Sequence, residues 1–204
     1  MNIITISREF GSGGRELGKR LADLLGYDYY DKEILTKILQ SEEKDDDHIA
    51  FALDNHGWLN YSLTFSRSFA PAITMVQSDV LKEQKRVIEK IAAMGKDFVI
   101  IGRSTDVLLK DYNPFKIFVC ADTESKIKRC IERADNSEKL TKKAVARELR
   151  IIDESRKVNR EIADGGTWGD RQNYNLTVNT TDWKIKDLAY AVKDYYTAFL
   201  NTKK

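Results

Sequence analysis

Short runs of β-branched residues alternate along this chain with apolar stripes at helical spacing. Ile3, Ile4 and Ile6 make the first run, which reads as a buried strand. Leu17, Leu21, Leu24 and Leu25 then recur on one helical face, and Gly26 supplies a stop. Tyr27 to Asp31 reads as a second short strand, followed by a helix from about Lys32 to Gln40. Residues 41–71 are less regular. The stripe Ile73, Val76, Val80, Val87, Ile88 and Ile91 then predicts a long amphipathic helix ending at Gly95. Phe98 to Ile101 and Lys116 to Cys120 read as strands. Asp122 or Thr123 can cap a helix carrying Ile127, Cys130, Ile131 and Ala134. A charged helix spans about Thr141 to Ala163, a last strand Asn175 to Val178, and a closing helix carries Ile185 through Phe199.

Five such strands separated by helices predict βαβ units and a parallel sheet covered on both faces. Ligands of these sheets sit beyond the carboxyl ends of the strands. The loops to search are therefore 7–14, the segment after 31, 102–106 and 121–123.

Composition narrows the function classes. The 204 residues suit one domain with a small insertion, and 42% hydrophobic against 32% charged residues is a globular balance. The net charge of +2 argues against a polybasic nucleic-acid binder. No apolar run reaches membrane-span length, and MNIITI does not resemble a signal peptide. Cys120 and Cys130 form no CxxC pair and read as packing thiols in a reducing cytoplasm. His48 and His56 have no cysteines nearby and read as solvated loop residues, and Tyr27, Tyr29 and Tyr30 as sheet packing.

The loop after the first strand is SREFGSGGRE, residues 7–16. Three glycines before a helix start allow a tight turn whose N–H groups point at an anion, and the helix dipole adds to the attraction. A glycine-rich turn without ligand is the plain alternative. The dinucleotide pattern GxGxxG fails at Glu16. The phosphate-loop pattern GxxxxGK[ST] fits imperfectly in two registers. One runs Gly13 to Lys19 but places the lysine a turn inside the helix. The other gives Gly13 the last-glycine position and Gly14 the lysine position, with Arg15 taking the lysine's role and Glu16 that of the Ser/Thr. The second is preferred, because phosphates must meet the first free N–H groups of the helix. Gly11, Ser12, Gly13, Gly14, Arg15 and Glu16 are then the donor-phosphate candidates. Glu16 would help hold Mg²⁺ directly or through water.

The run ITISREFGSGGRELGKRLADLLGYDYYDKEIL, with IIGRSTD, KIFVCAD and GTWGDRQNYNLTVNT, resembles the cytidylate kinase-like family of P-loop proteins. The resemblance implies a P-loop NTPase-type three-layer αβα sandwich around a five-stranded parallel sheet. It implies a core over 1–40, 96–125 and 170–204, a helical acceptor-binding insertion over about 41–95 and a helical lid over about 126–169. It implies ATP and Mg²⁺ as cofactors. Asp31, Gly102 and Arg103 match acceptor-binding positions; the aspartate that follows directly in those kinases is Ser104 here, with Asp106 two residues further on as the remaining acceptor candidate, and Asp153 with Arg156 matches a lid-border Asp-x-x-Arg. The string SREFGSGGRELG separates this group from ordinary cytidylate kinases, whose loop carries a lysine that is absent here.

Phosphoryl transfer needs positive charge around the spreading charge of the transition state. Residues 126–160 hold twelve lysines and arginines against six acids. Arg129 and Arg133 share a helix face, and Arg150, Asp153, Arg156 and Arg160 recur at helical spacing, so three guanidinium groups could point one way. Arg15, Arg129, Arg133, Arg156 and Arg160 are the catalytic candidates. The competing reading of the block is a solvated face with ion pairs such as Glu154 with Lys157. The leading expectation is phosphoryl transfer from ATP to CMP or dCMP in the cytoplasm, by a protein that binds neither nucleic acid nor membrane and could self-associate. A non-catalytic nucleotide or phosphometabolite binder, and a kinase of another small acceptor, stand as alternatives.

Overall fold

The computed structural model describes residues 1–31, 33–35, 85–102, 104–134, 140–163 and 166–202. The strands are β1 (Ile3–Arg8), β2 (Asp28–Tyr30), β3 (Phe98–Ile101), β4 (Phe115–Cys120) and β5 (Leu176–Asn179). The helices are α1 (Gly14–Leu25), a short α2 (Thr105–Leu108), α3 (Thr123–Glu132), α4 (Lys142–Ile162) and α5 (Ile185–Thr202). Residues 33–35 and 85–93 are also helical.

All five strands are parallel, in the order β2-β3-β1-β4-β5. The chain first builds to one side of β1 and later to the other. The carboxyl end of β1 therefore lies where the winding reverses, which is where such sheets bind ligands. Every residue of β3 is buried, so helices cover both of its faces. The fold is the expected α/β sandwich.

The predicted stop at Gly26 and one of the two caps read for α3 occur. Gly26 closes α1 in the left-handed region and donates its N–H to the Ala22 carbonyl. Asp122, not Thr123, caps α3 by accepting from the Ser125 N–H. Thr141 caps α4 through the Ala144 N–H. Tyr30 stands edge-on to Phe98 with centroids 5.6 Å apart, and Tyr27 edge-on to Tyr196. Both are core packing.

The main core joins β1–β5 to α1, α5 and residues 85–93, whose Val87, Ile88, Ile91 and Ala92 are buried. This end of the expected insertion therefore packs as part of the sheet's own cover. A second cluster of Ile127, Cys130, Val145 and Leu149 holds α3 to α4, with Phe10 of the glycine loop packed against it. The body of the expected insertion, including His48 and His56, lies outside the described residues. Among the described residues no helix is long and apolar enough to cross a membrane.

Candidate phosphate-binding site

The glycine loop leaves β1 at its carboxyl end. Gly11 and Gly13 both adopt positive φ, 75° and 79°. A Cβ on Gly11 would come within 3.0 Å of both Cys130 Sγ and the Lys126 carbonyl oxygen. Gly13 stands at the N-cap of α1, and no side chain caps that helix. The Ser12 hydroxyl is turned inward and donates to the Glu9 carbonyl at 2.8 Å. The helix start thus keeps its dipole and backbone donors available to an anion.

Arg15 reaches sideways from α1. Its Nε and Nη2 donate to Asp31 Oδ2 at 3.0 and 2.7 Å, and its Nη1 and Nη2 to the two Glu33 oxygens at 2.9 and 2.7 Å. Burial works against its charge, but the bonds to Glu33 and the field of Asp31 outweigh that and hold it firmly protonated. Asp31 is buried at the end of β2. Its Oδ1 accepts the N–H groups of Glu33 and Ile34, so it caps the helical turn at 33–35. Arg15 is thus committed to the Asp31 side of the site.

Glu16 does not fit a metal ligand. One oxygen accepts from Arg20 Nε at 2.8 Å and the other from Arg133. Among the described residues no group of three His, Cys, Asp or Glu side chains could hold a metal ion.

Asp106, on α2, is buried. It accepts from Arg160 and, at 3.4 Å, from the Ser7 hydroxyl at the end of β1. Arg160 lies over the Tyr174 ring, 5.3 Å from its centroid, and among the described residues its Nε has no hydrogen-bond partner. Arg103 lies outside the described residues. Gly102 beside it has φ 72°.

The arginines of α3 and α4 divide among different tasks instead of converging. Arg150 is exposed. Arg156 donates from Nη1 to the Arg8 carbonyl at 2.9 Å and to Asp153 at 3.0 Å, and stacks near the Phe10 ring. Asp153 also accepts the Phe10 N–H at 2.7 Å. Burial raises its carboxyl above the usual range, while Arg156 and that N–H pull it back. Arg129 binds the hydroxyl and carbonyl of Thr180, and the Thr180 hydroxyl donates to the Ser12 carbonyl at 2.7 Å. Glu154 pairs with Lys157 on the exposed side of α4, as the solvated-face reading expects.

Sequence spacing missed Arg8, Glu9, Lys126 and Thr180. Lys126 donates to Glu9 Oε2 at 2.9 Å, and that oxygen also accepts the Ala121 N–H. These partners lie more than a hundred positions apart, and no local pattern carries them. Arg8 was legible only as the second residue of the glycine-rich loop, and the structure makes it the last residue of β1.

No curated protein sequence matches this chain. A crystal structure of an uncharacterized protein from Eubacterium ventriosum ATCC 27560 is 24% identical, with TM-score 0.71, over 96% of this chain and 98% of that one. The shikimate kinase from Acinetobacter baumannii, in complex with shikimate, is 15% identical with TM-score 0.51, over 97% and 94% of the two chains. The shikimate kinase from Bacteroides thetaiotaomicron is 10% identical with TM-score 0.52, over 96% and 98%. These likenesses show the fold. The model of the cytidylate kinase-like family matches residues 3–182, and the chain belongs to that family.

Proposed function

We propose that this protein transfers the γ-phosphoryl group of ATP to a nucleoside monophosphate, CMP or dCMP. Family membership supports a P-loop kinase. The observation that carries the reading is the uncapped start of α1 at the carboxyl end of the central strand, beside the buried Asp31 and Asp106. ATP supplies the phosphoryl group and the leaving ADP. The loop backbone from Gly11 to Arg15 cradles the donor phosphates. Arg15 holds Asp31 toward the acceptor side. Arg156 and Asp153 shape the loop from the lid, and Arg129 and Arg133 brace its far side. An acceptor phosphate oxygen is already a nucleophile, so no side-chain base is required. Magnesium would travel on the nucleotide phosphates, since Glu16 is already held by two arginines.

A second reading, transfer to a different small acceptor, is favoured by the ion pairs at Asp31 and Asp106, which already engage both carboxylates. A coupled assay of ADP release with ATP and a panel of nucleoside monophosphates, sugar phosphates and shikimate tests both. Turnover with CMP or dCMP is the expected result. ATP binding without turnover of any acceptor would make the chain a binding module instead.

A further inference from the structure

Aligned on Gly13 as its last glycine, the pattern GxxxxGK begins at Arg8 and ends at Gly14. The two residues that depart from it are thus its first glycine and its lysine, and they depart reciprocally. The cation stands where the glycine belongs, and a glycine stands where the cation belongs.

The structure joins these two positions in space. The Arg8 stem lies directly over Gly14. A Cβ at Gly14 would come 2.7 Å from Arg8 Cβ and 3.2 Å from Arg8 Cγ. No side chain fits at position 14 while Arg8 is present, so the arginine stem takes the space where the side chain of the motif's lysine would start. The guanidinium ends at Gly102. A Cβ there would come 2.0 Å from Arg8 Nη1, so Gly102 leaves room for that head group. The head group therefore lies between the start of α1 and the end of β3, at the carboxyl edge of the sheet.

Asp31 acts on its charge only at a distance, as a minor influence. Among the described residues no hydrogen bond or ion pair is made by the Arg8 guanidinium, although its carbonyl accepts from Arg156. Burial first, and the nearby positive charge of Arg156 second, push its pKa down to about 9. An arginine held half-covered beside another arginine, with no carboxylate in direct contact among the described residues, is a place for an anion.

We propose that Arg8 is the phosphate-binding cation of this loop, its side chain replacing in space the lysine that the motif places at position 14. The proposal rests on the reading of the site as a nucleotide-phosphate cradle and assigns the donor phosphates to Arg8 in place of Arg15. The Arg15 guanidinium serves Asp31 and Glu33.

The test is ATP binding by titration calorimetry on the full chain, with far-UV circular dichroism as the folding control. Arg8→Gly and Arg8→Met, the latter keeping an apolar stem over Gly14, should each weaken ATP binding about 10- to 100-fold. Gly14→Lys alone should not strengthen binding, because the arginine stem blocks the lysine. The double variant Arg8→Gly/Gly14→Lys restores the motif's own arrangement and should recover at least about tenfold over Arg8→Gly. Wild-type affinity in Arg8→Met, or a double variant no tighter than a folded Arg8→Gly, overturns the proposal. If the wild-type chain binds no ATP, the nucleotide reading fails separately. Inorganic tripolyphosphate then probes the anion site alone, and equal binding by wild type and Arg8→Met overturns it.

Discussion

Asp106 and Arg160 form an ion pair with side chains only 2% and 4% exposed, joining the helix after β3 to the last turn of α4. Each partner answers a charge that the interior would otherwise have to carry alone. Asp106→Ala should therefore lower stability by about 3–5 kcal/mol, because it strands a buried guanidinium. Urea denaturation reads this directly. The double variant Asp106→Leu/Arg160→Met should recover much of the loss, since well-packed apolar pairs often replace buried ion pairs at little cost. A double variant as unstable as the single one would mean that packing, not charge, is at stake.

Gly102 and Gly95 offer a matched comparison. Both have φ 72°, but a Cβ at Gly95 meets nothing within 4 Å, whereas at Gly102 it meets Arg8. Gly95→Ala should cost only the backbone strain, about 1–2 kcal/mol in thermal or urea unfolding, with ATP affinity unchanged. Gly102→Ala should cost a similar amount of stability and also weaken ATP binding about tenfold by displacing the Arg8 head group. Equal ATP affinity in the two variants would separate Arg8 from the nucleotide.

Lys19 and Arg15 lie on the same helix and have different work. Lys19 pairs with Asp23, both partly exposed, and lies 5.6 Å from the Tyr29 ring centroid. Lys19→Ala should change stability by less than about 1 kcal/mol and leave ATP binding intact. Arg15→Ala removes the cation from buried Asp31, and should raise the acceptor KM more than it weakens ATP binding. Steady-state kinetics with each substrate varied in turn distinguishes the two effects. A loss of ATP affinity on Lys19→Ala would restore the register that ends at Lys19.

The Cys130 thiol is buried beneath the glycine loop, and that burial pushes its pKa up to about 11 from an ordinary 9. The folded state then holds the proton more tightly than the unfolded chain. Its contribution to stability is fully present below pH 9 and is lost as pH rises through 11. In a Cys120→Ser background, alkylation by iodoacetamide should follow a titration centred near pH 11. A midpoint at or below 9 would show an exposed thiol.

Much of the architecture could be read from local pattern. Ile3, Ile4 and Ile6 marked β1 because a strand buried on both faces needs apolar residues without alternation. Gly26, Asp122 and Thr141 mark element ends because their chemistry acts within three residues of where they stand. The site was less legible. Position 14 lacks a side chain, so the reading moved one residue on, to Arg15, the nearest cation along the helix. Arg8 crossing over Gly14 is a relation between a strand end and a helix start, and only folding brings those together. The positive block at 126–160 was visible as charge, yet its destinations were not. Lys126 goes to Glu9, Arg133 to Glu16, and Arg160 to Asp106. Each of those acids is distant in sequence.

The glycine loop is gripped from α3 and α4 at three points: the Phe10 N–H by Asp153, the Arg8 carbonyl by Arg156, and Glu9 by Lys126. Two of these bonds fasten to the loop's own backbone. An outward swing of α3 and α4 would have to release them, and the backbone that shapes the candidate anion cradle would then relax. Under the proposed kinase reading, departure of a product and loosening of the donor site would be one mechanical event.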